Sequence, residues 1–299
     1  MKFKTLITLS IMVFGNLSTA QADVIFYSGF EYLIKLNDTG RTIAGNFPDH
    51  NNFVDCNSDI QAPQDCHLGR DVTHPDNSDG YAGFSFTKLD ASGNPLADQS
   101  ADYETTPWAC VQDNVTGLVW EVKTLDDGLH HAEHTYTWYD TDNTTNGGNP
   151  GWPDGQNNGT ADGGNICYGY NAADPATFCN TEAYTARVNA QGLCGQTEWR
   201  LPDVNELDSI NLYRKSGLFD DGSPNTRNPP IDMNYFPNTV GGITNHLEWI
   251  DWMYWASTPS FNSYVSGVTQ AWTFDYYEGY SRTWDSNHKF YVRLVRGGQ

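Results

Sequence analysis

The sequence is short of positive charge. It has 16 Lys and Arg against 37 Asp and Glu, a formal net charge of −21. A chain this acidic lacks the basic footprint that nucleic acids and anionic membrane surfaces require, so neither partner is expected. The same balance weighs against a polyanionic ligand and suits neutral ligands or divalent cations. Long apolar runs are also missing. The only one, Leu6 to Phe14, is too short to cross a bilayer as a helix, so no membrane insertion is expected. There is no Gly-x-Ser-x-Gly elbow, no phosphate-binding loop, no Cys-x-x-Cys pair and no internal repeat.

What is present begins with an export signature. Lys2 and Lys4 precede the apolar run, and Ala20-Gln21-Ala22 is a small-x-small cleavage site. Residues 1–22 therefore read as a signal peptide. An N-terminal membrane anchor is the alternative, weakened because no further apolar stretch follows. With no cysteine just after the cut, a lipid anchor is not expected. The mature chain would start at Asp23, periplasmic or extracellular, and is long enough for one large domain or two small ones.

All six cysteines lie beyond the signal: Cys56, Cys66, Cys110, Cys167, Cys179 and Cys194. An even count in an exported protein reads as disulfides, although six cysteines allow 15 pairings. Cys56–Cys66 and Cys167–Cys179 would each close a short polar loop, which leaves Cys110–Cys194. A zinc site is the alternative.

The pattern of elements is α+β. Residues 23–104 read as a small N-terminal β-rich region, with strands at Val24–Tyr27 and Tyr81–Leu89 and a turn at Ala91–Pro95. From residue 105 to 299 the signals sharpen. Strand Leu118–Val122 follows turns at Asp113-Asn114 and Thr116-Gly117. Asn180 or Thr181 caps a helix that Gly192 stops. Asp203 caps a second helix, with Glu206 completing a capping box and Val204, Leu207 and Ile210 on its buried stripe. Strands at Ala271–Tyr277 and Phe290–Val295 close the chain, placing two helices beside a small antiparallel sheet with long loops.

Four segments carry a family resemblance. Asp113-Asn114-Val115-Thr116-Gly117-Leu118-Val119-Trp120-Glu121 resembles the opening motif of the Lcl C-terminal domain family, named for the C-terminal domain of a collagen-like Legionella adhesin. Trp199-Arg200-Leu201-Pro202-Asp203-Val204-Asn205-Glu206-Leu207 resembles its central motif. Tyr254–Thr258 and Val292–Gly297 resemble its two closing motifs. The four occur in family order across roughly residues 105–299. Arg-Leu-Pro before a capped helix is similar to segments of C-type-lectin-like and formylglycine-generating-enzyme-like domains. The resemblance thus implies a C-type-lectin-like domain in which first and last strands pair and long loops build a binding face. It also implies adhesion to sulfated glycosaminoglycans, a ligand that this acid balance opposes. Formylglycine chemistry needs reactive cysteines near its site, and none occurs after Cys194.

Three constellations invite chemistry. His130-His131-Ala132-Glu133-His134 matches the inverted zinc-protease pattern, but its flanks read as a turn leading into a strand, so a surface loop is the plainer reading. The loop 140–165 offers hard oxygen ligands at Asp140, Asp142, Asn146, Asp154 and Asp162, suited to Ca2+. The same side chains serve Asx turns in a solvated loop, and Thr145 occupies the glycine position an EF-hand requires. The sugar-binding tripeptides of true C-type lectins are absent; the nearest segments are Phe236-Pro237-Asn238 and Trp284-Asp285-Ser286. Finally, aromatics crowd the C-terminal part. Trp255 and Trp272 sit in strand-like patterns and are expected in the core. Tyr276, Tyr277, Tyr280 and Trp284 lie on a polar hairpin, Asp275 to Asn287. With Asn262 and Tyr264 on a neighbouring loop, they are the candidate ligand-binding residues. The leading expectation is an exported, adhesin-like module that binds a surface glycan or protein through its C-terminal loops. An extracellular carbohydrate-active hydrolase and a structural part of a surface assembly are the alternatives, since 37 acids make chance carboxylate pairs easy.

Overall fold

The computed structural model describes residues 37–40, 43–45, 53–55, 67–155, 167–213, 229–240, 252–260, 269–276 and 279–297. The chain divides into Met1–Lys35 and Leu36–Gln299, and every described residue belongs to the second unit. The signal peptide, the Val24–Tyr27 strand and the Cys56–Cys66 pair lie outside the described residues.

In chain order the elements are strands β1 (Ile43–Gly45) and β2 (Phe53–Asp55), helix α1 (Arg70–Thr73), strands β3 (Phe86–Leu89), β4 (Cys110–Asp113) and β5 (Leu118–Glu121), helices α2 (Thr181–Gln191) and α3 (Val204–Asp208), and strands β6 (Met253–Ser260), β7 (Gln270–Asp275), β8 (Tyr280–Asp285) and β9 (Val295–Gly297). All strand pairings between them are antiparallel: a β1–β2 pair, a four-stranded sheet in the order β3-β4-β5-β9, and a three-stranded sheet in the order β6-β7-β8. The architecture is α+β, as the element pattern implied.

Local chemistry explains the best-formed pieces. Between β4 and β5 the Asp113 carboxylate accepts from the amides of Val115 (2.9 Å) and Thr116 (3.2 Å), and Gly117 takes φ +78°, which closes the hairpin. Asn180 accepts from Ala183 N at 2.7 Å to start α2, and Gly192 ends it at φ +74°. Asp203 and Glu206 form the expected reciprocal capping box. Leu207 and Ile210 are buried and Val204 packs against them, although α3 stops after five residues.

The four-stranded sheet draws on both sides of residue 104, with β3 paired to β4 from Phe86↔Asp113 to Leu89↔Cys110. One expectation changes. The expected strand Phe290–Val295 is instead a tie between elements. Phe290 bridges Tyr136, Tyr291 bridges Tyr254, Leu294 O accepts from Glu121 N, and Val295 bridges Arg200 before β9 begins. Each residue there finds a different partner, so no single ladder forms.

The core has two aromatic-rich clusters. One gathers Phe86, Trp120, Leu207, Phe236, Tyr254 and Phe274; the other Tyr136, Trp138, Tyr184, Trp199, Trp255 and Phe290. Trp255 is fully buried and Trp272 partly so. Cys110–Cys194 (Cα–Cα 6.5 Å) ties β4 to the chain just after α2, and Cys167–Cys179 (5.7 Å) closes the loop before α2. Both pairings match expectation and fit an oxidising compartment. Among the described residues no helix is long and apolar enough to cross a membrane.

Candidate functional site

β8 is the outer strand of its sheet, and an open depression of about 270 Å³ lies along it. Gln270, Arg282, Thr283, Trp284, Asp285 and His288 line it. The hairpin register creates it by setting Gln270 opposite Asp285 and Ala271 opposite Trp284. The turn after β8 is anchored: His288 N donates to Asp285 O (3.0 Å), Ser286 N to Thr269 O (2.8 Å), and Trp138 N to Ser286 O (3.0 Å). Trp284 packs edge-on against His288 (5.1 Å) and Phe290 (5.7 Å), so the indole is held rather than loose.

The polar groups here are unevenly satisfied. Gln270 is only 5% exposed, and its Nε2 donates to Asp285 Oδ1 at 2.8 Å. Gln270 Oε1 and Trp284 Nε1 are buried and have no hydrogen-bond partner among the described residues. Such atoms are uncommon in native proteins, and each calls for an explanation. The Arg282 guanidinium lies over the Tyr280 ring at 4.5 Å and reaches Asp275 at 3.5 Å. The arrangement offers a held indole, an amide, a carboxylate and a stacked cation on one rigid hairpin. These groups can stack, donate and accept.

Of the expected ligand-binding residues, Trp284 lines the depression and Tyr280, 41% exposed, stacks beside it. Tyr276 is not at the surface. It is fully buried, its hydroxyl donates to Leu207 O at 2.9 Å, and its ring meets Tyr254 and Phe274 at 5.0 and 4.9 Å. The reason is strand alternation: Tyr276 continues the inward face of Phe274 two residues on. Burial pushes the Tyr276 hydroxyl well above its usual range. Tyr277, Asn262 and Tyr264 lie outside the described residues. Gln270, Arg282, Asp285 and His288 were not anticipated. Their polar character is visible in the sequence, but only the hairpin register brings Gln270 to Asp285.

In the acidic loop, Asp140, Asp142 and Asn146 come together through turns. Asp140 accepts from Asp142 N (2.9 Å) and Thr145 Oγ1 (2.7 Å), and Asp142 from Thr144 N (2.8 Å) and Oγ1 (2.7 Å). Those Thr144 bonds hold the Asp142 carboxyl below its usual range. Asn146 is buried, donating to Asp140 O (3.1 Å) and accepting from Gly148 N (2.8 Å). Asp154 instead accepts from Tyr170 OH at 3.3 Å, and Asp162 lies outside the described residues. Among the described residues no group of three or more His, Cys, Asp or Glu is placed to hold a metal. The histidine run is not helical, so it does not set two imidazoles on one helical turn. His130 is drawn inward, with Nδ1 at 2.8 Å from Glu121 Oε1 and Nε2 at 3.2 Å from Gln191.

That contact belongs to a buried network built from the motif segments. Glu121 is fully buried and gathers Lys123 Nζ (3.0 Å), His130, the Tyr184 hydroxyl and Leu294 N (2.9 Å). Burial alone would raise its pKa. Lys123 and His130 overcome that and hold it below the carboxylate range. Arg293, also buried, donates to Glu121 O and Thr239 Oγ1, both at 2.8 Å, beneath Phe236. At the central motif, Arg200 forks onto both Glu206 oxygens (2.6 and 2.7 Å) while its backbone bridges Val295. The motifs build the frame, and the depression lies beside them.

The fold and its surface define a disulfide-braced α+β domain with a buried ionic frame and a polar-aromatic depression at a sheet edge. The family model described as the Lcl C-terminal domain matches residues 109–296, and the chain belongs to that family. The match runs from the residue before β4 into β9, so β3 is a strand added from outside it. No curated protein and no solved structure matches the chain.

Proposed function

We propose that the protein is an exported, adhesin-like binding module that recognises a surface glycan through the depression along β8. The observation that carries this is the held Trp284 indole at the β8 edge, with the Gln270–Asp285 pair and the Arg282–Tyr280 stack on the same hairpin. A flat apolar ring bordered by fixed polar groups suits a sugar, which has a weakly polar face and a hydroxylated rim. Export is supported by the leader-like residues 1–22 and the two disulfides. The C-type-lectin-like reading is supported by the pairing of β5, from the opening motif, with β9, from the last.

A glycan array run with and without a chelator tests this. Binding that survives the chelator places recognition in the depression; binding lost with calcium assigns the loop of Asp140, Asp142, Asn146, Asp154 and Asp162 a part in it. Capture of unglycosylated protein alone would move the reading to a protein ligand. No binding, with turnover of a polysaccharide panel, would replace it with a hydrolase.

A further inference from the structure

We infer that β8 is the seam at which a second copy of this chain docks, its own β8 adding antiparallel about a two-fold axis through Thr283. In the two larger sheets, β8 is the one edge left open among the described residues. Tyr291 covers β6, donating from N to Met253 O and accepting at O from Trp255 N, both at 2.9 Å. Arg200 covers β9 through two 2.9 Å bonds with Val295, and Leu96 N covers β3 at Lys88 O (2.9 Å). Along β8 the hydrogen bonds fix which residues face out. Thr273 Oγ1 donates to Arg282 O (3.0 Å) and Ser286 N to Thr269 O (2.8 Å), so Tyr280, Arg282 and Trp284 turn their backbone groups to β7. Ser281, Thr283 and Asp285 therefore turn theirs outward. Of these outward groups only Asp285 O has a partner among the described residues, His288 N at 3.0 Å. The depression follows this edge rather than either face. Its lining takes Thr283 and Asp285 from one side of β8 and Arg282 and Trp284 from the other.

An open edge of this kind is a template for another strand. β8 carries few of the usual guards: it is 6 residues long, holds no proline or lysine, and keeps an unbroken register with β7 from Gln270↔Asp285 to Asp275↔Tyr280. What selects a second copy is that Ser281-Arg282-Thr283-Trp284-Asp285 complements itself when read antiparallel. Centred on Thr283, every outward residue meets an outward residue, as hydrogen-bonded pairs require. Thr283 then faces the partner's Thr283, and Ser281 faces the partner's Asp285, whose carboxylate accepts from the hydroxyl. On the opposite face Arg282 meets the indole of the partner's Trp284. Each is a favourable cross-strand pair. Centring on Arg282 would oppose two guanidiniums. Centring on Trp284 would run past the turn that His288 N makes onto Asp285 O. The net charge of −21 does not forbid the seam, because Arg282 and Asp285 balance within it. A seam of Ser281–Asp285 alone falls short of the roughly 1,200 Å² of stable interfaces, so the pairing is reversible. A strand laid here fills the depression, making a second copy and a sugar alternative occupants. The inference therefore stands apart from the glycan reading.

The test is sedimentation velocity on the full mature chain from micromolar to millimolar concentration, with amide hydrogen exchange on the same samples. A monomer–dimer equilibrium is expected, with exchange at Ser281, Thr283 and Asp285 slowing as the dimer fraction rises. Thr283→Lys sets two ammonium groups against each other on the axis. Thr283→Pro removes an outward N–H without touching the β7 ladder. Each should weaken association about three- to tenfold. A synthetic peptide of the Tyr280–Asp285 sequence should compete the dimer apart, and a shuffled one should not. The exchange readout on the unsubstituted protein needs no variant to fold. A chain that stays monomeric throughout overturns the inference, even if it binds glycan, and leaves glycan recognition standing. So does a dimer in which those three amides exchange as in the monomer, or one indifferent to Thr283→Lys. Equal competition by the shuffled peptide assigns the edge to extended chains in general and overturns the choice of a second copy.

Discussion

Arg293 reaches back across 172 residues to donate from Nη1 to the carbonyl oxygen of Glu121 at 2.8 Å. The next residue, Leu294, gives its amide to Glu121 Oε2 at 2.9 Å. The opening and last motifs of the family domain are thereby joined through one buried carboxylate residue. Around it Lys123, His130 and Tyr184 complete the hydrogen bonding.

Removing that carboxylate strands Lys123 in the core. Glu121→Ala is expected to cost about 3–5 kcal/mol, the range for breaking a buried ion pair. Urea unfolding of variant and parent, compared with Tyr280→Ala as a surface control within about 0.5 kcal/mol, checks this. A loss below about 1 kcal/mol would mean the network is not structural.

Acid should act through His134 before it reaches Glu121. Burial lowers His134 from 6.5 to about 4. Between those values the unfolded chain binds the extra proton, so stability is complete above pH 6.5 and declines as pH falls toward 4. Because the ring is only half-buried, the loss is discounted to about 1 kcal/mol. Glu121, depressed below the carboxylate range, holds its contribution above about pH 4.5 and loses it at lower pH. Unfolding midpoints of His134→Gln at pH 7 and pH 4.5 should differ less than those of the parent. An unchanged slope refutes the assignment.

The two disulfides should differ in weight. Cys110–Cys194 spans 84 residues and Cys167–Cys179 spans 12. Loop-closure entropy puts the first at about 4–5 kcal/mol and the second at about 3. Thermal melts of the two double-Ala variants should rank in that order, with both below the parent.

The C-terminal aromatics should separate by role. Tyr276→Phe loses a buried hydrogen bond to Leu207 O, with an expected cost of about 1–2 kcal/mol and no change in ligand affinity. Trp284→Ala and Tyr280→Ala should fold and bind glycan about two- to tenfold more weakly, in the range for stacking contacts. The opposite pattern, with Tyr276→Phe impairing binding in a stable protein, would mean the site is misplaced.

Much of the frame was legible in the sequence. The Asn180 cap, the Gly192 stop, the Asp203–Glu206 box and the Asp113–Gly117 turn all appear as read, because each depends on residues within a few positions. Less of the site was legible. Tyr276 looked exposed because its neighbours are polar, yet its face is set by alternation from Phe274. Gln270 and Asp285, 15 residues apart, meet only through the hairpin register. Glu121 read as a motif letter, and nothing near it in the sequence shows that a core would close over its charge.

The sequence by itself determined the acid balance, the helix caps, the turns and the four motifs. These are properties of composition or of neighbours along the chain. Only the tertiary structure decided that Glu121 and Arg293 would share one buried network, and that β8 would be left at a sheet edge with Trp284 and Gln270 along it. Those outcomes depend on which distant segments exclude water from one another, and burial is a property of the packed chain rather than of any stretch within it.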